Sequence, residues 1–396
     1  MSVITAEEYA ARLAKLQQVL VQREIELAVI NCNTDLFYYT GSLQPLYLLV
    51  PATGQALLLS RKAITRIREE APYLALREFT GTKEMAAAIN EAGFAGAKRI
   101  AYTLDTVTYA TVARLQKLFP GAEVADISWE MRTLRMVKSP AELEIITRGA
   151  AILSQVPAFV KAHFLPGMTE LELSATVESF LRLHGGDALI RCRKEGVEMS
   201  AFGVLSAGVN SLSGTKFDGV LGGKGLCPAV PYGASYDLIP RDVPAMLDFG
   251  FVLEGYLTDL TRMFVWGQPS DEVRRAYDAM LQIHRAVIAM LKPGITWEEP
   301  YTLAVKMAAD LGYADTFMGA GPEKVKFVGH GLGLELDDPP FLAPQMRGLL
   351  EANMVLAIEP KVTLPGIGAI GPEDTVLLTE QGVQMLTTCS QEMIIV

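Results

Sequence analysis

Two acidic residues in one predicted β-hairpin are the first candidates for chemistry. The apolar segment 245–264 is interrupted by Glu254-Gly255, a pair typical of a two-residue turn. With that turn, Asp248 is expected to face Thr261 and to lie diagonally from Asp259 on the same face. Two carboxylates on one apolar face repel each other and lose hydration, so they need a cation or shared protons. The alternative is a pair of solvated hairpin acids.

A second predicted hairpin carries the same feature. The apolar strand 353–358 ends in Glu359, and Glu373 returns after a turn around Pro365-Gly366, so we expect these two carboxylates to face each other. Between the hairpins, His330 stands among glycines, which let a backbone and a ligand approach closely. Four carboxylates and one imidazole match a two-metal hydrolytic site. Such hard ligands favour Mn²⁺, Co²⁺, Fe²⁺ or Zn²⁺, and an ion pair ~3.5–4 Å apart activates a bridging water.

The two hairpins belong to two copies of a repeated pattern. Segments 164–172 and 291–299 both read Pro-Gly followed by Thr-x-x-Glu, and they lie 127 residues apart. In each copy the Pro-Gly ends a predicted helix, 140–163 or 271–291, and Thr-x-x-Glu predicts a capping box for the next helix. The pattern predicts one domain with an internal pseudo-two-fold axis, whose strands meet in the middle. A coincidental match is the alternative, since capping boxes are common.

The residues before the repeat alternate between helices and short apolar strands. Thr5 and Glu8 predict a capping box that opens a helix over residues 6–22. Alternation to about residue 127 predicts a smaller α/β domain in which helices cover a sheet. Segment 129–138 is predicted to be a linker, after which Ser139 and Pro140 begin a new helix.

Composition excludes several classes of protein. The 396 residues include 35 Lys and Arg against 45 Asp and Glu, a net charge of −10, which argues against a nucleic-acid partner. Half of the residues are hydrophobic, which excludes a disordered chain. Four cysteines with no CxxC pair fit a reducing compartment. We also find no secretory signal or membrane-spanning run in the sequence, so we expect a cytoplasmic protein with no membrane partner.

The ordered set of motifs resembles the pita-bread metallopeptidase family, in the branch of aminopeptidase P, prolidase and creatinase. The likeness covers nearly the whole chain and includes the signatures Asp259-Leu-Thr-Arg and Gly255-Tyr256. It implies an α+β fold: a pita-bread catalytic domain with an internal pseudo-two-fold, residues 136–396, preceded by a creatinase-type α/β N-terminal domain, residues 1–135. It also implies a homodimer.

The resemblance further implies two divalent metal ions, with Mn²⁺ expected and Co²⁺, Zn²⁺ or Fe²⁺ as options. Asp259 and Glu373 would bridge both ions, Asp248 would complete one site, and His330 with Glu359 would complete the other. The activity implied is hydrolysis of an Xaa-Pro peptide, in which a hydroxide between the ions attacks the scissile carbonyl and Glu359 carries the proton.

Two other functions remain open on the sequence. One is a creatinase-like enzyme that acts on a small C–N or C–S metabolite instead of a peptide. The other is a metal-binding family member without peptidase activity, although such relatives typically lose metal ligands and all five are present here. In either enzymatic case the partner is a small peptide or a small-molecule substrate.

The chain departs from the peptidase members at positions that contact substrate. Those members carry Pro-His before the first metal Asp, whereas segment 227–235 has no histidine. Asp337 stands where a second histidine is usual, and Gly371 replaces the common Arg two residues before the last ligand. These departures favour the non-peptidase alternative. The glycine-rich segment 206–235 is expected to form part of a remodelled substrate pocket.

Four residues are candidate substrate contacts: Tyr256, Thr261, Asp337 and Arg191. Tyr256 follows the tight turn, where a core position is the alternative. Arg191 lies in a basic group with Arg193 and Lys194 that suits a substrate carboxylate, and a solvated strand edge is the alternative. The other three histidines are predicted to be structural: His163, His184 and His284.

Overall fold

The computed structural model describes residues 4–194, 197, 202–217, 219–220 and 222–396. Positions 218 and 221, within the glycine-rich segment predicted to line a pocket, lie outside the described residues. The chain forms two compact units, Met1–Arg135 and Met136–Val396.

The first unit is a mixed sheet with helices between its strands. Its helices are α1 Ala6–Gln22, α2 Asn33–Thr40, α3 Ile64–Glu70, α4 Thr82–Glu91, α5 Tyr109–Gln116 and α6 Ser128–Thr133. Its strands are β1 Leu27–Ile30, β2 Tyr47–Pro51, β3 Leu57–Ser60, β4 Ala75–Glu78, β5 Arg99–Tyr102 and β6 Glu123–Asp126. The sheet order is β4-β3-β2-β1-β5-β6. Strand residues such as Leu27 and Val29 pack with helix residues such as Ile89 and Leu115 in one buried core.

The second unit begins with helices and continues with two larger sheets. Its helices are α7 Pro140–Leu153, α8 Val156–His163, α9 Glu170–Leu183, α10 Asp271–Met290 and α11 Glu298–Asp310, with short 3-10 helices at Gly208–Leu212 and Gly321–Glu323. Its strands are β7 Gly203–Ala207, β8 Pro244–Leu253, β9 Tyr256–Val265, β10 Gly329–Gly331, β11 Asp338–Phe341, β12 Val355–Ile358, β13 Val362–Leu364, β14 Gly368–Ile370, β15 Asp374–Thr379, β16 Gly382–Met385 and β17 Ile394–Ile395.

The two larger sheets of this unit are joined near Thr261 and Glu373. One sheet has the order β17-β9-β8-β7 and the other β11-β10-β12-β15-β16, while β13 and β14 form a separate hairpin. Thr261 of β9 pairs antiparallel with Glu373, just before β15, through N–H···O bonds of 3.3 and 3.1 Å. Met246, Met263 and Leu356 pack with α10 in one core. Both repeats therefore contribute strands to the centre of one α+β domain.

Two boundaries differ from the sequence prediction. The helix predicted over 140–163 is divided into α7 and α8, because Pro157 lacks an N–H and its ring crowds the preceding turn. The predicted linker 129–138 is helical at its start, since α6 occupies Ser128–Thr133. The end of the linker is also ordered by pairing, with Val137 bridged to Met354.

The capping boxes form to different degrees. Thr169 and Glu172 form the complete reciprocal box at the start of α9. In the second copy the Glu299 carboxylate accepts from the Thr296 N–H at 2.7 Å, but the threonine side chain caps no backbone N–H, because α11 begins two residues later. Thr5 accepts from the N–H of Glu8 at the start of α1, as predicted.

One helical stretch in the described part of the chain, Pro140–His163, is long and apolar enough to cross a membrane by length and composition. In the structure this stretch is the pair α7 and α8, and α7 packs against β8 and β9. Core helices of soluble proteins pass the same test, so the finding is weak evidence for a membrane span.

Candidate metal centre

The β8–β9 hairpin places its two acids as the turn chemistry predicts. Glu254 and Gly255 both have positive φ, 48° and 86°, which is the conformation of a tight two-residue hairpin turn. The register pairs Asp248 with Thr261 and Gly250 with Asp259. The two carboxylates are therefore diagonal neighbours on one face, with Asp259 buried and Asp248 half-buried.

The second sheet brings the remaining ligands to the same place. β12 pairs with β15 so that Ile358 faces Asp374, which puts Glu359 and Glu373 at the next position of the same register. His330 lies on β10, which pairs with β12. Its Nδ1 lies 3.2 Å from the carbonyl oxygen of Gly331, so an Nδ1–H bond there leaves Nε2 facing Glu359.

Three of these side chains converge as a metal site requires. Asp259, His330 and Glu373 each offer one ligand atom, and those atoms all lie within 4.8 Å of one another. The three come from β9, β10 and the residue before β15, so the site depends on both large sheets. One divalent ion fits this donor set of two carboxylates and one imidazole.

A lysine that the sequence prediction missed lies among the same carboxylates. Lys361 Nζ donates to Asp248 Oδ2 at 3.0 Å, to Glu359 Oε2 at 2.7 Å and to Glu373 Oε2 at 3.1 Å. The side chain is only 2% exposed. The donor set for a second ion is therefore already bound to an ammonium group. The signal in the sequence was the position of Lys361 two residues after Glu359, since alternate residues of an extended chain share a face.

The charges of the cluster set its protonation. Burial, with the charge of Asp248, raises the pKa of Asp259 to about 7. Burial and the charge of Asp259 raise the pKa of Glu373 well above its usual range. Burial opposes ionisation of Glu359, but Lys361 and His330 outweigh it and lower its pKa to about 2. Burial likewise opposes protonation of His330, but Glu359 raises its pKa to about 9. Without metal, burial therefore favours the neutral forms of Asp259 and Glu373, while Lys361 and His330 stabilise the ionised form of Glu359.

A buried network holds the Glu373 segment in place. Arg262 donates to Asp374 Oδ1 at 2.6 Å and to the carbonyl oxygens of Thr261 and Glu373 at 2.9 and 2.8 Å. Thr375 links the same strands, since its hydroxyl bonds to the backbone of Asp259 at 2.8 and 2.9 Å. The Asp-x-Thr-Arg signature thus supplies the candidate ligand Asp259 and also Arg262, whose hydrogen bonds position the ligand Glu373.

The structure places two of the candidate substrate contacts differently. The Thr261 hydroxyl donates to Glu373 Oε2 at 2.6 Å, so Thr261 orients a candidate metal ligand. Tyr256 is buried and its hydroxyl donates to Glu142 Oε1 at 3.0 Å. The prediction of Tyr256 as a substrate contact is therefore corrected. Tyr256 lies three residues before Asp259 on β9, so its side chain faces the opposite side of the sheet.

The other two candidates lie on adjoining segments. Asp337 accepts from the backbone N–H groups of Arg193 and Lys194 at 2.8 and 3.2 Å, and the carbonyl of Arg191 accepts from Leu336. Asp337 thereby holds the basic segment in place, which is a positioning role. Burial, with Asp337, Glu335 and Asp259, raises the pKa of the Cys192 thiol to about 12.

Comparison with known proteins agrees with the site. Residues 144–380 match the family described as Metallopeptidase family M24, and residues 12–137 match the Creatinase/Prolidase N-terminal domain. An uncharacterized peptidase, YqhT, of Bacillus subtilis is 27% identical over 386 residues, which cover 97% of this chain and 99% of the relative. The Xaa-Pro dipeptidase of Pyrococcus furiosus is 25% identical, with 97% and 99% covered.

Solved structures show the same fold. The dipeptidase PepE of Mycobacterium ulcerans is 26% identical and superposes with a TM-score of 0.80, covering 98% of each chain. The prolidase of Pyrococcus horikoshii is 24% identical, also with a TM-score of 0.80, over 97% of this chain and all of that one.

The chain belongs to metallopeptidase family M24, because the matching region covers more than half of it. Its architecture is the creatinase-type N-terminal domain followed by the pita-bread catalytic domain, as predicted. Its enzyme class is that of the metallopeptidase-like hydrolases, which use divalent metal ions.

His284 lies beside Asp374, the residue that follows the candidate ligand Glu373, and it gives a prediction on how the unfolding free energy depends on pH. This histidine is buried, with Nε2 3.5 Å from Asp374 Oδ2 and Nδ1 3.3 Å from the amide nitrogen of Gln391. Burial lowers its pKa from the ordinary 6.5 to about 4. Between those values the unfolded chain binds a proton that the folded chain does not, so stability falls as the pH falls. From pH 7 to pH 5 this group is expected to cost about 2 kcal/mol of unfolding free energy.

The measurement is urea unfolding of metal-free protein at several pH values. His284→Gln should be less sensitive to this pH change than the wild type by about 2 kcal/mol. His184→Gln is the matched control, because His184 is exposed at the end of α9. An unchanged pH dependence in His284→Gln would refute the prediction.

Proposed function

We propose that this chain hydrolyses an amide bond of a short peptide with the help of a divalent metal ion, and that Xaa-Pro dipeptides are its substrate class. The observation that carries the proposal is the convergence of Asp259, His330 and Glu373 in a chain of family M24. The Xaa-Pro dipeptidase of Pyrococcus furiosus, which aligns over 97% of this chain, supports the substrate class.

Each residue of the cluster has a proposed role. A divalent ion held by Asp259, His330 and Glu373 would polarise the scissile carbonyl and activate a water. Glu359 would take a proton from the attacking water through Oε1, the oxygen that does not bond to Lys361, and would deliver it to the leaving amine nitrogen. Thr261 fixes Glu373 by its hydrogen bond. Lys361 keeps Glu359 ionised and therefore able to accept a proton.

The number of metal ions, the native metal, the oligomeric state and the location of the protein were also predicted from the sequence. The sequence predicts two ions with a hydroxide between them, whereas the contacts of Lys361 with Asp248 and Glu373 support a one-ion arrangement. Manganese as the native metal, a homodimer and a cytoplasmic location remain predictions.

The test is an activity panel on chelator-stripped protein reloaded separately with Mn²⁺, Co²⁺, Zn²⁺ or Fe²⁺. Dipeptides ending in proline are compared with matched dipeptides ending in alanine. We expect turnover of the proline series that a chelator abolishes and metal restores. No turnover of any peptide above the Asp259→Asn background, with every metal, would refute the proposal.

A second candidate is a hydrolase of a small C–N compound, and two features of the site favour it. Segment 227–235 lacks the histidine of the peptidase members, and Gly371 stands in place of their arginine. Turnover in a screen of small amides and amidines, with every dipeptide inert, would select this candidate.

A further inference from the structure

Lys361 lies at the position where a second cation would bind. Its Nζ is 2.7–3.1 Å from one oxygen each of Asp248, Glu359 and Glu373. These are carboxylates that a two-ion site would need for its own ligands. The ammonium is buried, and each of its three N–H donors has a carboxylate acceptor, so it is fully engaged.

The remaining donors form a separate set. Asp259 and His330 are not among the hydrogen-bond acceptors of Lys361, and together with Glu373 they converge within 4.8 Å. Glu373 is shared, because its Oε2 accepts from Lys361 while the residue also belongs to the convergent set. An ion pair in a hydrolytic centre is ~3.5–4 Å apart and shares a carboxylate in this manner. The geometry is that of a two-cation centre in which one cation is an ammonium.

Repulsion between neighbouring cations favours the same reading. Four carboxylates meet here, and one divalent ion with one ammonium supplies three compensating charges. A second divalent ion would bring the positive charge to five and would have to bind beside a buried ammonium that occupies its oxygens. Like charges this close inside a protein repel strongly.

The surroundings of Lys361 are built to accommodate it. A Cβ atom added to Gly371 would lie 2.3 Å from the carbonyl oxygen of Pro360 and 2.8 Å from both Cα and Cγ of Lys361. Any side chain at position 371 would therefore collide with the lysine and its backbone. Two of these contacts are with backbone atoms, and the contact with Cγ shows that Gly371 also leaves room for the side chain of Lys361.

We infer that this protein has a hybrid centre, in which one divalent ion binds at Asp259, His330 and Glu373 while the Lys361 ammonium takes the place of the second ion. The inference deepens the proposed function by giving that hydrolase a one-ion centre. It concerns ion binding, so it is tested without any substrate, and failure of the peptide assay would leave the result intact.

The experiment counts ions on the full-length chain. Wild type, Lys361→Ala and Lys138→Ala are stripped with a chelator, equilibrated with excess Mn²⁺, desalted and analysed for manganese per chain. We expect one ion in the wild type and two in Lys361→Ala. Lys138→Ala is the matched control and should bind one, because Lys138 is an equally buried lysine whose Nζ donates to the Met136 carbonyl at 2.9 Å.

Electron paramagnetic resonance of the same samples gives a second readout. An isolated Mn²⁺ is expected in the wild type, and an exchange-coupled pair in Lys361→Ala. Two ions or none in the wild type would overturn the inference, as would a single ion in a folded Lys361→Ala. If that variant does not fold, the ion count and the spectrum of the wild type decide the matter on their own.

Discussion

Asp259→Asn is expected to lower kcat/KM by about 1000-fold or more, because it removes one of three convergent ligands and with it the bound ion. The carboxylate is buried on β9 and its backbone is fixed on both sides by the Thr375 hydroxyl. The replacement preserves the shape of the side chain and removes its charge. The measurement is steady-state hydrolysis together with the number of ions per chain.

The same substitution should not destabilise the metal-free protein. Burial and the charge of Asp248 raise the pKa of Asp259 to about 7, so holding it ionised at higher pH works against folding. A neutral amide removes that repulsion, and the thermal midpoint of metal-free Asp259→Asn at pH 8 should equal or exceed that of the wild type. Loss of activity together with retained stability distinguishes a lost ligand from a damaged fold.

Asp278→Asn is the matched control, since Asp278 is an exposed acid on α10. It should retain wild-type activity and ion content. If the Asp259→Asn variant retained its bound ion and more than a tenth of the wild-type activity, Asp259 would not be a metal ligand.

Arg262→Met is expected to lower the unfolding free energy by about 3–5 kcal/mol, because it leaves the buried Asp374 carboxylate without its ion-pair partner. Arg262 is 1% exposed and Asp374 is fully buried. The guanidinium also donates to the carbonyls of Thr261, Glu373 and Ser390, which would lose these donors. Urea unfolding at pH 7 measures the loss.

Arg148→Met provides the comparison for that experiment. Arg148 pairs with Glu254 across the surface, where the two side chains are 43% and 41% exposed. Exposed pairs contribute about 0–1 kcal/mol. Equal losses in the two variants would mean that the buried network does not hold the two sheets together.

The sequence was most informative where a short turn fixed the geometry. Glu254-Gly255 leaves one register for the hairpin, and that register alone aligns Asp248 with Asp259. The Pro-Gly of the second repeat likewise ended the predicted helix 271–291 within one residue of the end of α10. Local chemistry decides these features, so they are visible before the chain is folded.

Other features depend on contacts between distant segments. The carboxylates that surround Lys361 come from β8, the end of β12 and the start of β15, and a sequence pattern does not show that they converge on one ammonium. The role of Tyr256 was decided by its distant partner Glu142. Pro157 was visible in the sequence, but the segment 140–163 up to the Pro-Gly of the first repeat was predicted as a single helix.

A duplicated domain on one chain can place a single lysine, such as Lys361, at its centre. A symmetric pair of identical half-chains cannot. In a two-fold assembly of identical halves, every residue occurs twice about the axis. A lysine at the centre would then arrive in duplicate and oppose both cations. Covalent linkage of the halves lifts that restriction, so one half can contribute a fixed charge while the other contributes only ligands. The centre is asymmetric because the chain is continuous.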